Sequence, residues 1–264
     1  MAKTVMTMPP RMSTEEWQTR LDLAACYRLV DLFGWSDLVN TRITARVPGQ
    51  HDQFLINPYG LLFDEITASS LVKIDAEGNK VDPSESDINS GGFAIPSTIH
   101  MARPEVACVL HTHSISGCAV SMQRDGLLPL NQHALQIIGD IAYHDYEGAG
   151  RSAEERARLL ADLNDRHILV LRNHGLLIVG RSIAGAFIAT YTDLRKFLDT
   201  SVSSISGHIA GASYRAGEAG AQATAQSERT KPVLVANRFH AISQASMMSA
   251  RLRNTELASQ WLRR

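Results

Sequence analysis

Three histidines offer the clearest chemistry in this sequence. His111 and His113 close the run Val106-Ala107-Cys108-Val109-Leu110-His111-Thr112-His113, and His174 stands in Arg172-Asn173-His174-Gly175. The apolar run reads as a buried strand. Residues two apart on a strand face the same side, so the first two imidazoles are presented to one point in space. His174 follows the apolar run Ile168 to Leu171 and precedes Leu176 to Val179, where a loop can return it to the same sheet edge. Three neutral imidazoles suit Zn²⁺ best, with Mn²⁺, Co²⁺ or Fe²⁺ as alternatives, and they leave coordination positions open for water and substrate. Taken alone, a His-x-His pair is more often two polar residues at a strand end, and the third histidine with its context raises the metal reading without deciding it.

The elements that must position them follow from periodicity. Ser13 and Glu16 match a capping box, and Leu21, Ala24, Ala25, Leu29, Leu32 and Phe33 recur at helical spacing up to Gly34. Residues 40 to 47 and 53 to 57 read as a β-hairpin, closed by the tight loop Pro58-Tyr59-Gly60. A short strand is expected at 71 to 74, loop over 76 to 92, a short helix near 97 to 102, and a break at Arg103-Pro104. The second half alternates strand-like runs (138 to 143, 168 to 172, 176 to 179) with helical ones (152 to 163, 182 to 206), the pattern of α/β folds. Ile183, Phe187, Tyr191, Leu194 and Leu198 form an apolar stripe on the last of these, read as core packing. We expect a loose arm over 1 to 12, one domain over 13 to 210, and a mobile segment with a C-terminal helix over 211 to 264.

Bulk properties narrow the partners. The formal net charge of −1, from 26 basic and 27 acidic residues, gives no field to attract nucleic acid or an anionic membrane, so a small-molecule substrate is the default. Cys26, Cys108 and Cys118 cannot all pair and sit among apolar neighbours, which fits a reducing compartment. No stretch reaches the ~18 to 20 apolar residues that cross a bilayer, and the N-terminus lacks a secretory core. The expectation is a cytoplasmic protein.

Four runs in order carry a family resemblance: Phe54-Leu-Ile-Asn-Pro-Tyr-Gly60, Asp64-Glu-Ile-Thr-Ala-Ser-Ser70-Leu-Val-Lys-Ile-Asp75, Arg103-Pro-Glu-Val-Ala-Cys-Val-Leu-His-Thr-His113 and Arg172-Asn-His-Gly-Leu176. Over about residues 15 to 205 the chain resembles the class II aldolase/adducin family. The resemblance implies a three-layer α/β/α domain with a central mixed, largely antiparallel sheet, assembled as a homotetramer. It also implies a divalent metal held by His111, His113 and His174. The family's enzymes cleave or epimerise sugar phosphates through an enediolate that the ion stabilises.

Departures from the family are as informative. The acidic residue that its aldolases use falls near Gly92, in Ser90-Gly91-Gly92-Phe93, and the threonine before the loop glycine appears as Tyr59. This resembles the adducin-like branch, and the substrate loops are carried by Tyr59, Gly60, Ser90, Gly91 and Gly92. Pro96 stands where branch members often have histidine. His100, four residues on, is read as an ordinary surface residue with a pocket role as the alternative. The proton-donating tyrosine of the aldolases, reaching in from a neighbouring subunit, corresponds to His133, whose pKa near ~6.5 fits it to move a proton. It could equally be a packing residue at a helix start. Arg42 aligns near the aldolases' phosphate-binding asparagine and could hold a carboxylate by a bidentate pair, although such an arginine is more often a solvated strand residue.

These readings converge on a metal-dependent carbon-carbon lyase, an aldolase or decarboxylase acting on a small hydroxy or keto acid or a sugar-like substrate. Two alternatives stay open: a non-haem iron oxygenase on the same scaffold, and a non-catalytic adducin-like assembly module.

Overall fold

The computed structural model describes residues 12–147 and 152–205. The chain divides into a unit of Met1–Gly126 with Asp140–Leu198 and a second of Leu127–Gly139 with Asp199–Arg264. In the first unit, α1 (Thr14–Leu32) precedes the strands β1 (Arg42–Arg46), β2 (Gln53–Ile56) and β3 (Val72–Asp75), and α2 (Ser90–Ala102) leads into β4 (Cys108–Thr112) and α3 (Ile115–Ser121). After the second unit's short α4 (Gln132–Ile137) come β5 (Ile141–His144), α5 (Ala153–Leu163), β6 (Ile168–Leu171), β7 (Gly175–Gly180) and α6 (Ile183–Ile205). The strands form one sheet in the order β3-β2-β1-β4-β7-β6-β5. Every neighbouring pair is antiparallel except β5 with β6, so the sheet is mixed and largely antiparallel as expected.

Strand alternation makes the layers. Ile43, Ala45, Cys108 and Leu110 pack with Leu23, Tyr27 and Val30 of α1 and Ala186 of α6. Val109, Leu177 and Val179 point the other way, into a cluster with Ile99 of α2 and Leu159 and Leu163 of α5. Helices therefore cover both faces of an apolar sheet, giving the α/β/α arrangement. Tyr27 ties α1 to the sheet: its hydroxyl donates to Asn57 Oδ1 at 2.8 Å and accepts from the Ile43 N–H at 2.9 Å.

Two local expectations need correction. The capping box is half formed. Ser13 Oγ accepts from the Glu16 N–H at 3.1 Å, but the Glu16 carboxylate is buried and engaged by Arg20 at 2.9 Å and Lys73 at 3.1 Å. Two cations outcompete one backbone N–H for it. The expected loop around Gly91 and Gly92 is instead the first turn of α2, capped by Asn89 Oδ1 on the Gly92 N–H at 3.1 Å, and the helix continues through Pro96. Gly and Pro have poor helix propensity. Burial of Phe93 and Ile99 against the sheet overrides it. Among the described residues, no helix is long and apolar enough to cross a membrane. The expected N-terminal arm up to residue 11, mobile segment and C-terminal helix lie outside the described residues.

Candidate metal centre

β4 enters the sheet between β1 and β7, and its C-terminal end delivers His111 opposite Arg42 on one side and Leu177 on the other. His174 comes from the tight turn between β6 and β7. There Asn173 takes a left-handed φ of 57°, which asparagine tolerates better than most residues. Gly175 is needed for proximity: a Cβ there would lie 2.7 Å from the Thr112 carbonyl and 3.0 Å from the His113 ring. Thr112, buried between the two histidines, anchors the strand end by donating to the Trp35 carbonyl at 2.7 Å.

The three histidines converge. Their ring centroids are 4.8, 4.9 and 4.9 Å apart, and one ligand atom from each falls within 4.8 Å of the others. His111 Nδ1 is 2.9 Å from the Leu176 carbonyl, and His113 Nδ1 is 2.8 Å from Asp37 Oδ2. Both partners can only accept, which assigns the ring proton to Nδ1 in each neutral imidazole and leaves a lone pair on each Nε2. Those two Nε2 atoms stand 3.1 Å apart. Two acceptors at that distance repel unless a cation or a proton lies between them.

A metal ion fits this arrangement. Two ligands at 90 to 110° on bonds of about 2.0 to 2.1 Å lie roughly 2.9 to 3.4 Å from each other, which brackets the observed pair. His174 makes no ring hydrogen bond among the described residues and can turn toward the same point. Burial, then electrostatic repulsion from His174, His113 and Arg42, holds His111 well below its usual pKa, against the pull of the Leu176 carbonyl. Burial, then His113 and Arg42, lower His174 to about 4. Neutral rings are what a metal requires. Asp37 behind His113 makes the carboxylate–histidine pair that fixes ligand orientation in metal sites. The hydrogen bond from His113 is the main reason its own carboxyl lies below the usual range.

Arg42 and Gly92 also reach the site. The charge of Arg42 acts on both His111 and His174, and the space above Gly92 is filled by its guanidinium. Tyr59 is exposed in the turn after β2, with its N–H on the Asp87 carbonyl, and Gly60 takes a φ of 96° with open space around it. No hydrogen bond or ring contact among the described residues ties these two to the imidazoles. Ser90 and Gly91 open α2, and His133 lies in α4, but their side chains are outside what the structure describes.

His100 is neither the surface residue that the sequence favours nor a pocket residue. It is fully buried, with Nε2 2.9 Å from Thr44 Oγ1, Nδ1 3.2 Å from the Val106 carbonyl, and its ring stacked on Phe54 at 4.7 Å. Thr44, on the α2 face of β1, gives the ring a partner that sequence spacing does not reveal.

One participant, Asp37, was not anticipated from the sequence, and another, His144, was legible only as part of a polar aromatic run. Asp37 is 76 residues from His113, in the loop after α1, and no local pattern announces it. His144, at the end of β5, is buried with Nδ1 2.8 Å from Asp162 Oδ2, while its Nε2 has no partner among the described residues. It lines a narrow cleft together with Tyr146, Arg172 and His174. In the run Tyr143-His144-Asp145-Tyr146, which the sequence leaves open between a pocket wall and a subunit contact, the last three residues line this cleft and Tyr143 packs beneath the Arg172 guanidinium at 4.5 Å.

Comparison with known proteins agrees with this architecture. The model of the "Class II Aldolase and Adducin N-terminal domain" matches residues 21–195. The chain belongs to that family. A Pseudomonas aeruginosa protein named provisionally as aldolase class 2 is 56% identical over 182 residues, covering 69% of this chain and 70% of the relative. Mouse alpha-adducin is 46% identical over 171 residues, 64% of this chain but only 23% of the adducin. Among solved structures, an aldolase II superfamily protein from Pseudomonas syringae superposes with a TM-score of 0.76 at 43% identity, covering 86% of this chain and 94% of that one. The L-fuculose 1-phosphate aldolase of Glaciozyma antarctica follows with a TM-score of 0.66 at 28% identity, over 76% and 80% of the two chains.

Proposed function

We propose that this chain is a divalent-metal-dependent carbon-carbon lyase, of aldolase or decarboxylase type, acting on a small hydroxy or keto acid or a sugar-like substrate. The observation that carries this reading is the pair of acceptor nitrogens on His111 and His113 facing each other at 3.1 Å, with His174 alongside. Zn²⁺ is the ion that three imidazoles favour, with Mn²⁺, Co²⁺ and Fe²⁺ as substitutes. Bound there, the ion supplies a Lewis acid for the negative charge that develops on a substrate oxygen as the carbon-carbon bond breaks.

The chain's own residues do the rest. Leu176 and Asp37 hold the two strand imidazoles by their Nδ1 protons, so that Nε2 stays available. The turn at Tyr59 and Gly60 and the first turn of α2 at Ser90, Gly91 and Gly92 border the substrate, and His133 moves the proton to or from the carbon fragment. Completion of the site by a neighbouring subunit makes a homotetramer the working form, in the cytoplasm. The experiment is a metal analysis of the purified protein, followed by assays of CO₂ and aldehyde release across a panel of hydroxy acids, keto acids and sugars. Silence across the panel with stoichiometric metal present sinks the lyase.

Similarity to alpha-adducin favours one other reading, a non-catalytic assembly module. Such a module has no use for three convergent imidazoles. Protein that neither contains nor accepts a divalent ion would favour it over the lyase.

A further inference from the structure

A positive group stands beside the imidazoles, and among the described residues no anion pairs with it. The β1–β4 register sets Arg42 directly across from His111. On an antiparallel pair such residues lie roughly 5 Å apart at Cα and share one face. A guanidinium has five N–H donors. The one hydrogen bond seen from that of Arg42 goes from Nη2 to the Asn40 carbonyl at 2.9 Å, and no carboxylate pairs with it among the described residues. Asp37 contacts only the far side of His113, and among the described residues no carboxylate joins the three imidazoles at the point where they converge.

Gly92 is what allows the guanidinium to sit there. A Cβ at position 92 would fall 1.3 Å from Arg42 Nη1 and 1.9 Å from Cζ. The Gly92 backbone is itself pinned by Asn89 at the start of α2. A guanidinium drawn partly out of water without a counter-charge is costly, and a divalent ion nearby raises the cost further. An anion held between them removes it.

We propose that the Arg42 guanidinium, seated over Gly92 beside His111, is the receptor for a substrate carboxylate, so that the site takes anionic 2-hydroxy or 2-oxo acids. The assignment of the 2-oxygen to the metal rests on the lyase reading, whereas the carboxylate seat does not. Distance selects the class. Arg42 is the immediate cross-strand neighbour of His111, which favours an anion close to the oxygen that an ion on the imidazoles would take. A carboxylate meets that condition, and its two oxygens match the planar fork. A phosphate ester places its charge several bonds further away.

The test is calorimetric titration of metal-loaded protein with oxalate, with inorganic phosphate and glycolaldehyde as comparison probes, on wild type, Arg42→Met and Gly92→Ala. Metal content is measured after each titration. Oxalate is expected to bind wild type more tightly than either comparison probe. Both variants should weaken oxalate roughly 10- to 100-fold, the loss of a charge-assisted pair, while holding metal as wild type does. Gly92→Ala keeps the arginine and evicts it from its seat, so its loss of binding separates position from charge. Oxalate binding equal in all three proteins, or phosphate bound more tightly than oxalate, overturns the proposal. Protein that takes up no metal overturns the lyase instead. In that case, loss of oxalate binding by the metal-free variants still supports the seat, and unchanged binding refutes it.

Discussion

His100 of α2 and the strand pair His111 and His113 lie toward one face of this sheet and differ in how their nitrogens are satisfied. At His100 both ring nitrogens have protein partners, Thr44 and Val106, and Phe54 covers the ring. At His111 and His113 the protein supplies a partner for Nδ1 alone, and the Nε2 atoms are turned toward one another. The first arrangement closes the account of hydrogen bonds and makes His100 a core residue. The second leaves lone pairs aimed at a common point, which stability alone does not explain. Satisfied nitrogens, not burial, separate the structural histidine from the candidate metal ligands, since His111 is itself only 7% exposed.

The comparison breaks most sharply if the two sets respond alike to truncation. His111→Ala or His174→Ala should lose stoichiometric metal and, with it, essentially all turnover, while the fold persists; metal analysis with circular dichroism reads both. His100→Ala should do the reverse, costing about 3 kcal/mol of stability through a buried ring and two hydrogen bonds, with metal content unchanged. Denaturant unfolding gives the number. Metal loss from the His100 variant would erase the distinction.

How much of this could be read from the chain follows from the range of each interaction. The strands and long helices were legible because alternation and helical periodicity are local, and the convergence of His111, His113 and His174 followed from strand geometry and a turn. Arg42 was legible as a candidate, but its position over Gly92 was not, because it depends on the register of β1 against β4 and on α2 starting at Ser90 rather than later. Asp37 and Thr44 were hidden for the same reason: each meets its histidine across more than 50 residues of sequence.

Asp37 sharpens the comparison by degree. Its carboxylate orients His113 and strengthens it as a ligand, so Asp37→Asn should lower metal affinity about 10- to 100-fold without abolishing binding. Competition with a chelator of known affinity measures this. An unchanged affinity would reduce Asp37 to a surface partner, consistent with its partial exposure.

The smallest effect is in pH. Burial, with Arg46 adding to it, lowers His100 to about 3, against about 6.5 for a histidine in the unfolded chain. Above pH 6.5 neither state carries the proton, and the stability contribution of the neutral ring is fully present. Below it the unfolded chain takes up a proton that the folded one refuses, so stability falls by up to about 1.4 kcal/mol per pH unit, levelling off near pH 3. His111 and His174 add to the same slope in metal-free protein, being lowered as well. Between pH 6.5 and 5, above the range where carboxylates titrate, His100→Gln should therefore flatten the curve by roughly one proton relative to wild type, with the slope from the metal-site pair remaining. Urea midpoints across that window, on metal-free protein, test it. Parallel curves for the two proteins would mean that His100 takes its proton in the folded state, and would remove the enclosed half of the comparison.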